Sequence, residues 1–297
     1  MSPLRHETHD HDLGLSHDLA VISQRAAQRR RLLGMLAAGG TFALLQGCGG
    51  EDATTTSGSG SSTGTGTGTT TGTGTVTSCV ADPTETNGPY PSDGSNAVNG
   101  AVSNILLQNG VVRSDIRSSF SLSSNTAPGV PLTLTLKVVN TNASCALLSG
   151  WAVYIWHCTR DGGYSLYSSG IQNENYLRGV QATDANGELT FTTIFPGCYD
   201  GRYPHIHFEV FRTLADATGR ASSLLISQMA MPADICSTVY ANATGYSSSR
   251  TNFARTSTAS DNVFGDNTAT QIAAQTPTLA GSVDAGYAGS IIVGVPF

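Results

Sequence analysis

The chain has 297 residues, carries a formal net charge of -6 at pH 7 and contains only 12% charged residues. This charged fraction is about half the usual share. Together with the net negative charge and the lack of an arginine-rich stripe after residue 50, it argues against nucleic acid as a partner. The length alone would allow two domains, but the composition changes so sharply along the chain that one folded domain is expected.

Residues 1–48 have the pattern of an N-terminal extension and signal peptide. Arginines at residues 29–31 precede an apolar run at residues 32–45, an order typical of a signal peptide. The run is too short to cross a hydrocarbon core of about 30 Å, and a buried core helix is the alternative. The paired arginines resemble a twin-arginine signal, while Leu45-Gln46-Gly47-Cys48 resembles a lipobox. We therefore predict export to a bacterial periplasm or cell envelope. Either Cys48 carries a lipid anchor there, or the leader is cleaved without lipidation.

Residues 49–78 form the predicted linker. From residue 51 to residue 77 they are almost entirely glycine, serine and threonine, so they contain little that could be buried against a core. A chain of this composition behaves as a flexible random coil. The sequence therefore predicts a disordered tether between the leader and the domain.

Residues 79–297 are predicted to form one all-β domain. Extended runs between turn signals occur at residues 132–139, 152–156, 189–195, 206–211, 224–229 and 290–295. Apolar and polar residues alternate strictly from Leu132 to Val138, which predicts a strand with one buried and one solvated face. No long helical period competes with these runs. The expected architecture is a two-sheet β-sandwich core with long loops.

Five cysteines follow the leader, at residues 79, 145, 158, 198 and 236. Export to an oxidising compartment favours disulfides, and the odd number leaves one thiol unpaired. We expect Cys145 to pair with Cys158 across a hairpin turn at residues 148–150, and Cys198 to have Cys236 as a candidate partner. Zinc binding by these thiols is disfavoured, because no Cys-x-x-Cys spacing occurs.

The segment His205-Ile206-His207 predicts a metal site. In a strand, alternation directs both imidazoles to one face, with their Cβ atoms about 6–7 Å apart. Both rings can then converge on one ion at bonds of about 2 Å. The alternative is two ordinary histidines on a sheet face. Beyond the leader the only other histidine is His157, so the pair concentrates a scarce residue type in one place.

Further ligands must come from elsewhere in the chain, and tyrosines are the candidates. No acidic cluster lies beside the histidines, whereas Tyr199 and Tyr203 precede them and Tyr164 follows an earlier strand. A phenol with a pKa near 10 binds a metal well only when a strong Lewis acid such as Fe(III) ionises it. Tyr203 competes with Tyr199 but lies too close to His205 along the chain to approach the ion freely.

Several ordered segments resemble the intradiol ring-cleavage dioxygenases, the family of catechol and protocatechuate dioxygenases. They lie at residues 83–90, 113–117, 153–158, 161–165, 177–184 and 191–197, and the resemblance spans roughly residues 79–240. It implies a non-haem Fe(III) cofactor held by two tyrosines and two histidines. By position, Tyr164 and His207 match the equatorial ligands, and Tyr199 and His205 match the axial ones.

The resemblance also implies roles in substrate binding. Arg202 matches an arginine that the family places against the substrate, where a fixed cation stabilises developing negative charge; a solvated loop charge is its alternative. Gln228 matches a glutamine that follows the histidine strand, and Tyr90 lies in a segment expected to bind substrate.

The implied activity is cleavage of a catechol-type ring between its two hydroxyls, using O2 and giving a muconate-type diacid. Tyr199 would be released when the substrate binds and would accept one of its protons. Only five residues separate Tyr199 from His205, where family members often have a longer insertion, so we expect a more open pocket. Two other functions stay open: a non-catalytic exported protein that binds catechols or iron at the same site, and a purely structural surface domain.

Overall fold

The computed structural model describes residues 76, 78–121 and 123–297. The predicted leader at residues 1–48, with its lipobox at Cys48, and most of the predicted linker at residues 49–78 lie outside the described residues. Across the described part of the chain, no helix is both long enough and apolar enough to span a membrane.

Strands dominate the described residues, which confirms the all-β prediction. The strands are β1 (Asp93–Val98), β2 (Ala101–Asn104), β3 (Pro131–Asn140), β4 (Ala146–Leu147), β5 (Ala152–Trp156), β6 (Arg178–Ala182), β7 (Glu188–Ile194), β8 (His205–Phe211), β9 (Leu225–Ala230), β10 (Thr278–Ser282) and β11 (Gly286–Val295). The helices are α1 (Ala233–Asn242), α2 (Ser247–Phe253) and α3 (Ala269–Ala274). All six runs expected from the sequence coincide with strands, whereas β1, β2, β4, β6, β10 and the helices were not anticipated.

A five-stranded sheet forms one layer of the sandwich. Its strands follow the order β10-β11-β3-β4, and β7 also pairs with β3. The β3–β11 pair is parallel, from Leu132 opposite Tyr287 to Asn140 opposite Val295. Along β3, Leu132, Leu134, Leu136 and Val138 are fully buried, and the residues between them are exposed or half-buried. One face of this sheet therefore meets the core and the other faces solvent.

A four-stranded antiparallel sheet, in the order β6-β5-β8-β9, forms the second layer. All seven residues of its central strand β8 are buried. Ile206 and Phe208 share one apolar cluster with Leu132 and Leu134 of β3, so this face of β8 closes the core between the sheets. The alternate residues His205 and His207 consequently lie on the opposite face.

The N-terminal segment of the domain, residues 82–93, contacts the four-stranded sheet. The backbone N–H of Glu85 donates to the carbonyl of Ile226 in β9, at 2.8 Å. The Tyr154 hydroxyl of β5 donates to the carbonyl of Pro91, also at 2.8 Å. The histidine-bearing sheet is thus covered on both faces, by the core on one side and by loop segments on the other.

The expected cysteine pairing is wrong. Cys79 forms a disulfide with Cys145, and Cys158, Cys198 and Cys236 are free and buried. No hairpin forms at residues 148–150, because β4 pairs with β3 in the five-stranded sheet whereas β5 pairs with β6 and β8 in the other sheet. Strand β5 then carries the chain away by roughly 3.3 Å per residue. Cys158 therefore lies beyond the far end of β5, where its sulfur is 3.5 Å from the Gly197 carbonyl. Cys198 and Cys236 do not pair either.

Candidate metal centre

Two imidazole nitrogens form the centre of the candidate site. The Nε2 atoms of His205 and His207 lie 3.0 Å apart, and each side chain is almost completely buried. Because the two residues are separated by one position on β8, strand alternation brings both rings to the same face. The arrangement expected from the sequence is therefore present.

Two phenol oxygens lie beside these nitrogens. The Tyr164 hydroxyl is 3.4 Å and the Tyr199 hydroxyl 3.3 Å from His205 Nε2. The structure thus brings together the four side chains that the sequence suggested as ligands. Tyr203 lies elsewhere, because its hydroxyl donates to the Met231 carbonyl at 2.9 Å.

A tight turn before Tyr164 makes this meeting geometrically feasible. The Thr159 backbone N–H donates to the Gly163 carbonyl at 2.7 Å, closing the turn. Gly162 has a φ of +90°, and a Cβ at this position would lie 3.0 Å from the Cβ of Tyr199. Glycine is needed here both for its left-handed backbone and for the close approach of the second tyrosine.

The protein orients the two imidazoles in different ways. His205 Nδ1 lies 2.5 Å from the Tyr203 carbonyl, and a carbonyl can only accept, so Nδ1 carries the proton and Nε2 keeps its lone pair. His207 Nδ1 is buried without a hydrogen-bond partner in the described chain. Packing holds this ring instead: Trp156 stacks on it at 4.7 Å with planes only 6° apart. On another side, a Cβ on Gly88 would come within 3.3 Å of the ring.

Burial keeps all four donor groups uncharged in the metal-free protein. It lowers the pKa of His205 to about 3, with a smaller effect of the Arg202 cation, and it lowers the pKa of His207 well below its ordinary value. Burial also raises the pKa of Tyr199 to about 12 and that of Tyr164 well above 10. The imidazoles are therefore ready to donate lone pairs, while the phenols would be ionised only by a strong Lewis acid.

This donor set fits ferric iron. Within the described residues, no group of three or more histidine, cysteine, aspartate or glutamate side chains could hold a metal. The candidate centre therefore depends on its phenols, and two phenol oxygens with two imidazole nitrogens suit a hard, strongly acidic cation. The buried, unpartnered His207 Nδ1 shows that this ring is not placed by a hydrogen-bond network of its own.

Arg202 and Gln228 lie at the edge of the centre. Arg202 Nη1 is 3.4 Å from the Tyr199 hydroxyl and 3.5 Å from His205 Nε2. Its Nη2 donates to Gln228 Oε1 at 2.7 Å, and Gln228 Nε2 donates to the Thr86 carbonyl at 2.9 Å. A buried guanidinium is thus held against one of the phenols, so Arg202 is not a solvated loop charge.

Tyr90 borders the site from the N-terminal segment. Its ring centroid lies 4.8 Å from that of Tyr164 and 5.2 Å from that of Tyr167. The buried Arg178 fixes this segment, because its Nη2 donates to the Tyr90 carbonyl and its Nη1 to the Pro91 carbonyl. An aromatic face therefore adjoins the ring of one candidate ligand.

The sequence did not indicate four residues that shape the site: Gly88, Trp156, Arg178 and Asp261. The first three lie inside segments that carry the family resemblance, but nothing in the sequence gave any of them a role of its own. Asp261, whose carboxylate accepts from Arg202 Nε at 2.9 Å, lies outside those segments and had no signal.

Comparison with known proteins gives a family match and a fold match. A family model described as Dioxygenase matches residues 112–238, a range that contains the four donor residues, Arg202 and Gln228. The intradiol ring-cleavage dioxygenase from Tetranychus urticae is similar in structure with a TM-score of 0.54 at 22% identity, over 74% of this chain and 96% of that one. The crystal structure of a second dioxygenase is similar with a TM-score of 0.53 at 21% identity, again over 74% of this chain and 96% of that one. No curated protein matches. The resemblance stated from the sequence is thereby confirmed.

Proposed function

We propose, on the premise that this domain resembles the intradiol ring-cleavage dioxygenases in fold and family match, that the chain is a non-haem Fe(III) dioxygenase. Its substrate is a catechol-type ring, which it cleaves between the two hydroxyls with O2 to give a muconate-type diacid. One observation carries the proposal: two phenol oxygens and a second imidazole nitrogen lie within 3.4 Å of His205 Nε2.

Tyr164, Tyr199, His205 and His207 would hold the iron. When bound, Fe(III) would ionise the two phenols and withdraw electron density from a bound catecholate, so that the ring becomes reactive toward O2. The low pKa values of both histidines support this assignment, because neutral imidazoles need not lose a proton before they bind a metal.

The two tyrosines differ in a way that suits two roles. Tyr164 is 1% exposed and is packed against Tyr90, so it is suited to a fixed ligand. Tyr199 is half-buried and lies beside Arg202. Its phenol oxygen is the atom that would accept a hydroxyl proton from the catechol. The Arg202 guanidinium would then stabilise the negative charge that the catechol acquires when its hydroxyl protons are lost.

Other side chains would bind and orient the substrate. Gln228 holds Arg202 Nη2 and so limits where the guanidinium can point. Tyr90 offers an aromatic face beside Tyr164, on which a catechol ring can pack. Trp156 and the core beneath β8 exclude water from the back of His207, which strengthens the electrostatic interactions within the site.

The proposal includes export of the chain by the leader at residues 1–48, with Cys48 as a candidate lipid anchor. The Cys79–Cys145 disulfide supports it, because disulfides persist mainly in oxidising compartments. Metabolic labelling with a radioactive fatty acid, comparing the full chain with Cys48→Ser, separates lipidation from simple cleavage.

The deciding experiment measures iron, colour and oxygen uptake on one preparation. We expect about one iron per chain, a visible absorption band from tyrosinate-to-iron charge transfer, and O2 consumption with at least one member of a panel of catechols. His207→Ala should reduce iron affinity by more than about 100-fold, since even indirect supports of a metal site are worth 10–100-fold. The matched control is His157→Gln, because the ring nitrogens of His157 contact the Cys158 carbonyl and the Thr193 hydroxyl instead of the centre.

A colourless, iron-free protein would contradict the proposal. A band that shifts on addition of catechol, without any oxygen uptake across the panel, would support the non-catalytic binding function instead. If Tyr164→Phe and His207→Ala both leave iron content and ligand affinity unchanged, the domain is structural.

A further inference from the structure

Asp261 is a buried carboxylate near the candidate centre, and both of its oxygens accept hydrogen bonds. Its Oδ2 accepts from Arg202 Nε at 2.9 Å and from the backbone N–H of Tyr203 at 2.6 Å. Its Oδ1 accepts from the backbone N–H groups of Val263 and Phe264, at 2.8 and 3.1 Å. Four donors on two oxygens fix the orientation of this carboxylate.

The Arg202–Asp261 pair is buried on both sides. The side chains are 5% and 0% exposed, respectively. Burial alone would raise the pKa of Asp261, but the adjacent Arg202 cation and the hydrogen bonds hold it below its ordinary value. The carboxylate is therefore ionised. It neutralises Arg202, whose guanidinium is the only one among the described residues that contacts the candidate metal ligands.

The contact to Asp261 determines which edge of the guanidinium faces the centre. Asp261 engages Nε, Gln228 engages Nη2, and Nη1 remains directed at Tyr199 and His205. A guanidinium is a rigid planar fork, so fixing Nε and Nη2 fixes the direction of Nη1 as well. The same carboxylate holds the Tyr203 backbone, and thereby the short loop of five residues between Tyr199 and His205.

The segment that carries Asp261 is anchored independently of Arg202. Phe264 packs in one cluster with Tyr203 and Ala230. Asn267 Nδ2 donates to Glu85 Oε1 at 2.8 Å, and Gln275 Nε2 donates to the Gln228 carbonyl at 3.1 Å. Asp261 lies beyond the matched range of residues 112–238, and its anchored segment supports an arginine that lies within that range.

We propose that Asp261 is a positioning residue: it holds Arg202 so that Nη1 meets a catecholate bound at the metal centre. The inference rests on the proposed function. An arginine without this support would have to be ordered at each binding event, at the expense of affinity and of charge stabilisation. A purely structural carboxylate would instead affect folding alone, and its effect would not depend on Arg202.

The test is a double-mutant cycle with Asp261→Asn and Arg202→Gln, read by anaerobic titration of the iron-loaded protein with catechol. The amide keeps the size of the side chain but removes its charge and places an NH2 group where one of the two oxygens accepts two hydrogen bonds. We expect Asp261→Asn to retain the iron content and to weaken catechol binding at least tenfold. In the Arg202→Gln background, the same substitution should change catechol affinity less than twofold. The matched control is Asp266→Asn, an exposed carboxylate in the same segment, which should bind catechol like the wild type.

Melting temperatures of the iron-free proteins check folding. If Asp261→Asn does not fold, Asp261→Glu, which keeps the charge but displaces the carboxylate, takes its place in the cycle: a loss of catechol affinity that disappears in the Arg202→Gln background supports the proposal, and an unchanged affinity overturns it. Unchanged catechol affinity in Asp261→Asn, or an equal loss in both backgrounds, overturns the proposal while the proposed function stands. If the wild-type chain binds iron but no catechol, the proposed function fails and the inference fails with it.

Discussion

The two sheets of this sandwich use the same strand geometry for different purposes. In the five-stranded sheet, β3 alternates between buried leucines and half-wet polar residues, and Thr193 is the one polar residue fully buried among its described strands. In the four-stranded sheet, β5, β8 and β9 are buried along their whole length. Their buried polar side chains, together with that of β6, are Arg178, His205, His207, Glu209, Ser227 and Gln228.

The difference comes from what covers the second face. Solvent covers the outer face of the five-stranded sheet, whereas residues 82–93 and the loops around Tyr164 and Tyr199 cover that of the other. A covered polar face is dry, so each group on it needs a partner or a neutral form. Glu209 illustrates this: burial, with a smaller effect of the neighbouring Asp93 carboxylate, raises its pKa to about 9, so the side chain takes its neutral form. The candidate metal centre thus lies on the sheet whose polar groups cost the most to bury.

The largest loss of stability is expected when Arg178 of β6, in the four-stranded sheet, is replaced. All five N–H groups of Arg178 are used, on the carbonyls of Tyr90, Pro91 and Ser165 and on the hydroxyls of Ser165 and Tyr154. Arg178→Met leaves buried acceptors unpaired at about 1–3 kcal/mol each, so we expect a loss of at least about 3 kcal/mol in unfolding free energy. Denaturant unfolding measures it, and iron affinity should fall as well because Tyr90 and the Tyr164 turn lose their anchor. A loss below about 1 kcal/mol would mean that the buried hydrogen bonds of Arg178 do not stabilise this sheet.

A similar loss of stability in the other sheet should leave the site intact. Leu134 of β3 is fully buried in the core, and Leu134→Ala should cost about 3 kcal/mol through lost transfer energy and a residual cavity. The visible band and catechol affinity of the iron-loaded folded protein should match the wild type at low temperature. A shifted band would mean that the two sheets are not separable in function.

Asp82 is a buried carboxylate against the five-stranded sheet, and it should give that sheet a pH dependence. Its Oδ2 accepts from the Gly294 backbone of β11 at 2.8 Å, and burial raises its pKa to about 7. A raised pKa means that the folded state binds the proton more tightly than the unfolded state. The stability is therefore present at low pH and is lost as pH rises from about 4 to about 7. Asp82→Asn should remove this slope, a difference on the order of 2 kcal/mol at pH 8. Identical unfolding free energies for both proteins from pH 4 to pH 8 would refute it.

The smallest loss of stability is expected for Lys137, which lies on the solvent-facing side of the five-stranded sheet. Lys137 of β3 pairs with Glu188 at 3.0 Å, and the Glu188 side chain is 41% exposed. Solvent screens such a pair, so Lys137→Ala should cost less than about 1 kcal/mol. The matched comparison is with Arg178→Met, measured under the same conditions. If both substitutions cost the same, burial is not what distinguishes the two cations.

The strands whose apolar and polar residues alternate regularly could be predicted from the sequence. Strand β3 shows strict alternation, and β8 brings His205 and His207 to one face. Strand β6, with its buried Arg178 followed by Gly179, lacks both alternation and an apolar run. Strand β1 is a polar segment. The short helices α2 and α3 have too few turns for a period to appear. These elements form because of tertiary packing, which overrides local propensity.

The residues of the site could likewise be predicted where a local pattern or the family resemblance marks them, but not where contacts join distant parts of the chain. The histidines could be inferred from strand geometry, and the tyrosines were chosen through the family resemblance; the structure brings all four together. Asp261 contacts Arg202 across 59 positions in the chain, and Cys79 bonds to Cys145 across 66. No local pattern marks either pair, because loop closure over such distances depends on the whole topology.

The disulfide also determines how mechanical load enters the domain. Cys79 directly follows the predicted linker, and it is bonded covalently to Cys145 in the turn between β3 and β4. A pull on the linker is therefore transmitted to the five-stranded sheet before it reaches residues 82–93, the segment that carries Gly88 and Tyr90 over the metal centre. If the leader is anchored as proposed, tension on the linker passes through this bond into the five-stranded sheet, and residues 82–93 bear it only after the bond is reduced.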